Sequence, residues 1–227
     1  MGSPDYPLEV LRAFTVILLV AITALGAVTV EARPVASTPT RVTLIGDSIA
    51  TAIEHESDAR EILAKGIDLD LEVAPCRRIV GESCPYQGKR PPTLVELLPS
   101  LRLGSTVVVA TGYNDYEGTF ATTIEAALTA LRAAAVEHVL WVTLRAERQS
   151  YLRMNELIQE AASRHPELTI VDWNLYSRSH PDWFQEDGLH LGRDGAIGLA
   201  TLVHRRLDDL GLVAAAKPRA RSEDNGR

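Results

Sequence analysis

Apolar residues follow two different patterns between residues 41 and 210. Short runs rich in valine, isoleucine and leucine, typical of β-strands, lie at 41–45, 69–73, 105–111, 138–143 and 168–172. Longer segments with helical character lie between and after them, at 49–65, 93–101, 119–136, 149–164 and 194–210. In the third of these, Ile124, Leu128 and Leu131 recur every three or four residues, which places them on one helix face.

This alternation of strands and helices predicts the fold class. Strand–helix–strand units form parallel sheets with right-handed crossovers. The run at 105–111 is almost continuously apolar, as expected of a strand covered on both faces. We therefore predict an α/β fold, a three-layer α/β/α sandwich around a five-stranded parallel sheet of the flavodoxin type. Ligands bind such sheets at the carboxyl ends of the strands, so we expect the functional residues in the loops there.

The two ends of the chain differ from this body. Residues 13–30 carry no charge and could just cross a hydrocarbon core of roughly 30 Å as a helix. Residues 1–32 are therefore either a signal peptide, cleaved after Ala32, or an uncleaved N-terminal membrane anchor. A Pro/Ser/Thr linker is expected at 33–40, the folded domain at 41–212 and a disordered, charged tail at 213–227. Both interpretations predict an exported protein, secreted or anchored to the outer face of the membrane.

Composition and charge exclude several classes of partner. The 23 basic and 30 acidic residues give a net charge of −7, whereas nucleic-acid binders normally carry a basic surface. Aromatic residues make up only 5% of the chain, so a stacking platform for single strands is not expected either. The sequence has no His-Glu-x-x-His motif and no glycine-rich phosphate loop. We therefore expect no nucleic acid, no metal and no cofactor.

Polar motifs stand after two of the predicted strands and before the last helix. They are Gly46-Asp47-Ser48, Gly112-Tyr113-Asn114-Asp115 and Asp187-Gly188-Leu189-His190. Each has a purely structural interpretation, as a helix cap, an Asx turn or a loop with local hydrogen bonds. Each also has a chemical one: Ser48 as a nucleophile, Asn114 as a donor to an oxyanion, and His190 as a base oriented by Asp187.

The order of the three motifs resembles that of the SGNH hydrolases, the GDSL-type esterase and lipase superfamily. Those proteins carry Gly-Asp-Ser after the first strand, Gly-x-Asn-Asp after a middle strand and Asp-x-x-His before the last helix. The resemblance covers roughly residues 41–210. It implies that Ser48 is the nucleophile, that His190 is the general base and that Asp187 orients His190. It also implies an oxyanion hole formed by the Ser48 N–H, the Asn114 side chain and a glycine N–H after the second strand.

The glycine of this oxyanion hole has two candidates in the sequence. Gly81 is the first choice and Gly88 competes with it, because the surrounding residues do not match the common pattern of the family. Cys76 and Cys84 flank Gly81. In an exported domain they would form a disulfide that stiffens the loop, and two unpaired buried thiols are the alternative.

Charged and aromatic side chains near these motifs have two interpretations as well. They either line the mouth of the site or form a solvated charge pair and a packed aromatic cluster. The residues concerned are Arg77, Arg78, Trp173, Trp183 and Phe184.

The predicted function is that of an exported serine esterase. It would hydrolyse carboxylic esters, such as O-acyl groups on carbohydrates or lipid esters, through an acyl-enzyme on Ser48. Its partner would be a small-molecule or polysaccharide ester, with membrane contact through residues 13–30. One alternative is an acyltransferase, in which a sugar hydroxyl replaces water in the second step. The other is a non-catalytic anchored carbohydrate-binding module, which would not need all the residues of the three motifs.

Overall fold

The computed structural model describes residues 38–215, which fold around one five-stranded parallel sheet. The strands stand in the order β2-β1-β3-β4-β5. They are β1 (Thr40–Gly46), β2 (Ile67–Val73), β3 (Thr106–Ala110), β4 (His138–Val142) and β5 (Leu168–Val171). All neighbouring strands are parallel, so every connection crosses over the sheet.

Seven α-helices accompany the strands in the described part of the chain. They are α1 (Thr51–His55), α2 (Ser57–Ala64), α3 (Leu94–Leu97), α4 (Phe120–Ala133), α5 (Gln149–Ala162), α6 (Trp173–Ser177) and α7 (Arg193–Asp209). Short 3₁₀ turns lie at Leu98–Ser100, Glu117–Thr119 and Pro181–Trp183.

The helices cover both faces of the sheet. Residues of α3, α4 and α5 pack on one face, around the buried Trp141 of β4. Residues of α1, α2 and α7 pack on the other face, around Leu44 of β1 and Trp173 at the start of α6. Every residue of β3, the central strand, is buried. The predicted three-layer α/β/α sandwich with a five-stranded parallel sheet is therefore confirmed.

The structure differs from the predicted elements mainly where a helix is broken or short. The predicted helix 49–65 is two helices, because Glu56 adopts an extended conformation between α1 and α2. The segment 93–101 is a single turn of α-helix that tightens into a 3₁₀ turn at Pro99. Helix α6 was not predicted, since it is short and begins directly after β5. Asp172 caps it by accepting a hydrogen bond from the Leu175 N–H.

Both boundaries of the expected folded domain, 41 and 212, lie within the described residues. The Ala214 N–H donates to the Gly66 carbonyl at 2.9 Å, so the packed chain continues past the predicted boundary at 212. The expected export segment at 13–30 and the rest of the tail lie outside residues 38–215. Among the helices within that range, none combines the length and apolar character that crossing a membrane requires.

Candidate active site

Ser48 lies at the carboxyl edge of the sheet, where three strands end level. Gly46, the last residue of β1, pairs with Val73 of β2 and with Ala110 of β3. The Asp47 N–H extends this ladder by donating to the Ala110 carbonyl at 3.1 Å. Ser48 therefore follows β1 at the edge where ligands bind in open α/β sheets.

The buried carboxylate of Asp47 joins the loops that follow β1 and β3. One oxygen accepts from the Ile49 N–H at 3.1 Å, and the other accepts from the N–H groups of Gly112 and Tyr113 at 3.2 Å each. Burial raises the Asp47 pKa to about 6, although the three N–H donors oppose the shift. The sequence around Asp47 indicates only a possible helix cap, because nothing in the local pattern points to partners so far along the chain.

Ser48, His190 and Asp187 form a continuous chain of hydrogen bonds. The Ser48 Oγ lies 3.1 Å from His190 Nε2, and His190 Nδ1 lies 2.5 Å from Asp187 Oδ2. The other Asp187 oxygen accepts from the N–H groups of Leu189 and His190 at 2.9 Å each. The hydrogen bond with His190, followed by these two backbone bonds, lowers the Asp187 pKa to about 2. An ionised Asp187 favours a proton on Nδ1, which leaves Nε2 free to accept the Ser48 hydroxyl proton.

The loop that carries His190 is closed on itself and anchored to α7. The Gln185 N–H donates to the His190 carbonyl at 2.7 Å. Just before it, the Trp183 ring stacks on Trp173 with 5.8 Å between centroids. A Cβ at Gly198 would come within 2.5 Å of the Trp183 ring, so that ring needs a glycine on α7. Trp173 is fully buried and does not line the mouth of the site, and the aromatic residues instead support the His190 loop.

Asn114 and Ser48 bring hydrogen-bond donors to the same edge. The Asn114 Nδ2 donates to the Arg77 carbonyl at 3.2 Å, which leaves its second N–H available. The Ser48 N–H donates to no acceptor within residues 38–215. Because Asp47 binds the two residues just before Asn114, the Asn114 amide lies on a loop held beside the Ser48 turn. Each residue thus has an N–H group for which no described residue is an acceptor.

Gly81 and Gly88, the two glycine candidates for the oxyanion hole, both have a positive φ, of +79° and +75°. Gly81 is exposed, and only the Arg78 guanidinium, at 4.0 Å, approaches its Cβ position among the described residues. Gly88 is exposed too, with nothing described within 4 Å of its Cβ position. Cys76 and Cys84, by contrast, form the predicted disulfide, with 5.1 Å between their Cα atoms. Of the two interpretations of these cysteines, the structure thus contains the disulfide.

The arginine pair of this loop is packed into the protein. Arg77 is buried, and its guanidinium donates to the Glu72 carbonyl. Burial lowers the Arg77 pKa. Arg78 lies 4.1 Å over the Tyr116 ring and 3.8 Å from the Asp115 carboxylate. Neither arginine is a solvated charge at the mouth of the site, and both instead hold the loop in place.

A groove of about 310 Å³ opens beside the Ser48–His190 pair. Its walls carry several polar and charged side chains, which offer both hydrogen-bond donors and hydrogen-bond acceptors. They are His55 and Glu56 from the end of α1, Gln185 from the His190 loop and Arg193 from the start of α7. The groove is therefore suited to a polar ligand rather than to a long acyl chain.

The sequence is similar to proteins named as O-acetyltransferases, although no family model matches the chain. Over 152 residues it is 29% identical to the protein named Putative peptidoglycan O-acetyltransferase YrhL of Bacillus subtilis, which covers 64% of this chain and 23% of that protein. Over 67 residues it is 36% identical to the O-acetyltransferase OatA of Staphylococcus aureus, which covers 30% of this chain and 11% of that one. The chain thus spans less than a quarter of the length of these relatives.

Solved structures with the same fold cover most of the described residues. The C-terminal catalytic domain of peptidoglycan O-acetyltransferase A from Streptococcus pneumoniae aligns with a TM-score of 0.60 at 21% identity, over 77% of this chain and 96% of that one. TesA aligns with a TM-score of 0.57 at 15% identity, over 75% and 99% of the two chains. A carbohydrate esterase of family 3 from Talaromyces cellulolyticus aligns with a TM-score of 0.51 at 17% identity, over 75% and 97%.

These neighbours define the class of protein to which the fold corresponds. The chain has the α/β/α fold of the SGNH-type hydrolases, the fold that the resemblance of its three motifs implied. Esterases and O-acetyltransferases share this fold. The reaction of this protein must therefore be argued from the residues at its own strand ends.

Proposed function

We propose that the protein is a serine enzyme that removes an acyl group from an oxygen ester through an acyl-enzyme on Ser48. The observation that carries this proposal is the hydrogen-bonded chain from Ser48 through His190 to Asp187. A serine hydroxyl becomes a useful nucleophile only when a base takes its proton, and a third group commonly orients that base. Each of the three roles has one residue in this chain.

In the first half of the reaction, Ser48 Oγ attacks the carbonyl carbon of the ester while His190 Nε2 takes the hydroxyl proton. The Ser48 N–H and the Asn114 amide donate to the oxyanion that forms. When the intermediate collapses, the bond from the carbonyl carbon to the alcohol oxygen breaks, and His190 returns the proton to that oxygen. The acyl group then remains on Ser48, and Asp187 stays ionised throughout.

In the second half, water gives a proton to His190 and attacks the acyl carbon. The bond from that carbon to Ser48 Oγ then breaks, Oγ takes the proton back from His190, and a carboxylic acid is released. This route makes the protein an esterase. The second candidate, an acyltransferase, differs only in that a hydroxyl of an acceptor molecule replaces the water. The names of the relatives, O-acetyltransferases of Bacillus and Staphylococcus, favour this candidate.

The groove supports a carbohydrate as the alcohol part of the ester. Its polar walls, formed by His55, Glu56, Gln185 and Arg193, match the many hydroxyl groups of a sugar. Proteins of the same fold whose names refer to peptidoglycan or carbohydrate esters agree with this assignment. We therefore place an O-acylated saccharide in the groove, with its ester carbonyl at Ser48.

The disulfide supports an exported location for the domain. Disulfides persist in oxidising compartments and are rare in the cytosol. The Cys76–Cys84 bond lies in the loop beside the proposed site, so this loop depends on such a compartment. We propose that the domain works outside the cytoplasm, secreted or held at the outer face of the membrane.

Hydrolysis of an aryl acetate by the purified protein and by Ser48→Ala tests the proposal. The wild type should release the phenolate and Ser48→Ala should not. Equal inactivity of both proteins on aryl acetates and acetylated sugars would contradict it. Adding an oligosaccharide acceptor separates the two candidates. An esterase releases one acetate per phenolate, whereas an acyltransferase releases less acetate and acetylates the saccharide.

A further inference from the structure

Residues 74–77, which follow β2, form a tight turn with an unusual residue at its third position. The Arg77 N–H donates to the Ala74 carbonyl at 3.3 Å, and Pro75 and Cys76 stand between them. Cys76 has a φ of +68°, in the left-handed region. Proline at the second position and a positive φ at the third define a type II turn, which normally has glycine there. A cysteine held in this conformation needs an explanation, because its Cβ makes the left-handed region unfavourable.

The turn is hydrogen-bonded to both β1 and the loop that carries Asn114. On one side, the Ala74 N–H donates to the Gly46 carbonyl at 3.1 Å, two residues before Ser48. On the other side, the Arg77 carbonyl accepts from the Asn114 amide at 3.2 Å and from the Thr111 hydroxyl at 3.3 Å. The turn is therefore fixed at the carboxyl edge of the sheet, next to both of the donors assigned to the oxyanion.

The Cys76 N–H differs from its neighbours in having no protein acceptor. Within residues 74–79, each of the remaining backbone N–H groups donates a hydrogen bond to a described residue. Ala74 donates to Gly46 and Arg77 to Ala74, Arg78 donates to the Ser83 hydroxyl and Ile79 to the Asp115 carboxylate. Pro75 has no N–H. Cys76 alone in this segment keeps a backbone donor free, as Ser48 does on the neighbouring loop.

The disulfide explains how a cysteine keeps this conformation. It ties Cys76 to Cys84, whose sulfur lies 3.9 Å from the Asn114 side-chain oxygen. We infer that the Cys76 N–H is the third oxyanion donor, in place of Gly81, and that the disulfide to Cys84 holds it at the site. This inference rests on the proposed function, since it assigns a donor to the oxyanion formed at Ser48. Cys76 would act through its backbone, whereas Cys84 is a positioning residue.

This inference can be tested with two double variants, neither of which can form the disulfide. Cys76→Gly/Cys84→Ala restores the residue that a type II turn prefers, whereas Cys76→Ala/Cys84→Ala leaves a Cβ without the tether. We expect kcat for an aryl acetate to be roughly 5- to 30-fold lower in the alanine variant than in the glycine variant, because an L residue populates the left-handed region less readily by about this factor. KM should differ little, because the donor acts mainly on the transition state.

The outcomes distinguish this inference from the proposed function. Thermal unfolding of both variants shows the stability lost with the disulfide, which is common to the pair and cannot produce a difference in kcat by itself. Equal kcat values in the two variants, with Ser48-dependent turnover intact, would overturn the role of Cys76 and leave the proposed function standing. Absence of Ser48-dependent turnover in the wild type would instead overturn the proposed function.

Discussion

The two halves of the candidate site are held in place by different means. Asp47, on the nucleophile side, is fully buried and joins loops that are far apart in the sequence. Asp187, on the base side, is half exposed and binds residues two and three positions away. Burial raises the pKa of the first carboxyl to about 6, and hydrogen bonding lowers that of the second to about 2. We propose that Asp47 holds the loops at this edge together, whereas Asp187 stabilises positive charge on His190.

The largest expected effect is a loss of kcat in Asp187→Asn, on the base side. The amide oxygen can still accept the two backbone N–H groups, but the charged acceptor for His190 Nδ1 is lost. In Ser-His-Asp triads this change costs about 10⁴-fold in kcat, and we expect a loss of that order here with little change in the unfolding midpoint. Steady-state kinetics and thermal unfolding measure the two quantities.

Asp182→Asn is the matched control for that variant. Asp182 is an exposed aspartate in the same loop region and has no hydrogen-bond or ion-pair partner among the described residues. It should keep wild-type kcat. An Asp187→Asn protein that is as active as this control would show that His190 does not depend on the carboxylate.

The second-largest effect on kcat is expected from Asn114→Ala on the nucleophile side. Removal of one oxyanion donor lowers kcat by roughly 10²–10³-fold with little change in KM. Asn114 also binds the Arg77 carbonyl, so Thr111→Val, which removes the other side-chain donor to the same carbonyl, is the control. Similar losses in both variants would mean that Asn114 acts by anchoring the loop rather than by donating to the oxyanion.

Asp47→Ala should reduce stability more than any change at Asp187. Three buried N–H groups, of Ile49, Gly112 and Tyr113, would lose their acceptor. At about 1 kcal/mol for each unsatisfied donor, we expect the free energy of unfolding to fall by about 3 kcal/mol. Urea denaturation measures it. If Asp47→Ala were no less stable than Asp187→Asn, the contrast between the two carboxylates would be wrong.

The smallest expected effect is a dependence of stability on pH. The Asp47 pKa is about 6 in the folded protein against an ordinary value of 3.8, so between these pH values the folded state holds a proton that the unfolded chain has lost. The free energy of unfolding should therefore fall as pH rises through this window, and Asp47→Asn should flatten that slope. Denaturation at several pH values from about 4 to about 7 measures it.

Two other carboxyls serve as references for this slope. Burial raises the pKa of Asp115 to about 7, so Asp115→Asn should flatten the same part of the curve. Asp187, whose pKa is lowered, contributes a slope of opposite sign only below its ordinary value of 3.8. A slope that survives unchanged in Asp47→Asn would show that the Asp47 carboxyl is not perturbed by burial.

The base side was easier to predict from the sequence than the nucleophile side. Asp187 and His190 stand three residues apart, and a spacing that short restricts where the two side chains can lie. The role of Asp47 was missed because its partners, Gly112 and Tyr113, come close only when β1 and β3 pair. Gly81 was chosen because the resembled family has a glycine N–H on the loop after the second strand. The structure also holds a cysteine, Cys76, in the left-handed region, which the sequence does not indicate.

The strands and the three long helices could be predicted to within three residues, whereas the short helices could not. Runs of β-branched residues mark the buried strands, because both faces of a parallel sheet are covered. The break at Glu56 between α1 and α2 has no proline or glycine to indicate it. The capped start of α6 at Asp172 looks like the end of β5, because the apolar run continues up to it.

The most direct test of the account is the covalent state of Ser48 during turnover. The purified protein is mixed with an aryl acetate, quenched with acid and examined by intact mass and peptide mapping. The account predicts one acetyl group on Ser48 in the wild type, none in Ser48→Ala, and loss of the acetyl group when the substrate is exhausted. Turnover at the wild-type rate by Ser48→Ala, or an acetyl group on any other residue that keeps pace with turnover, would contradict it.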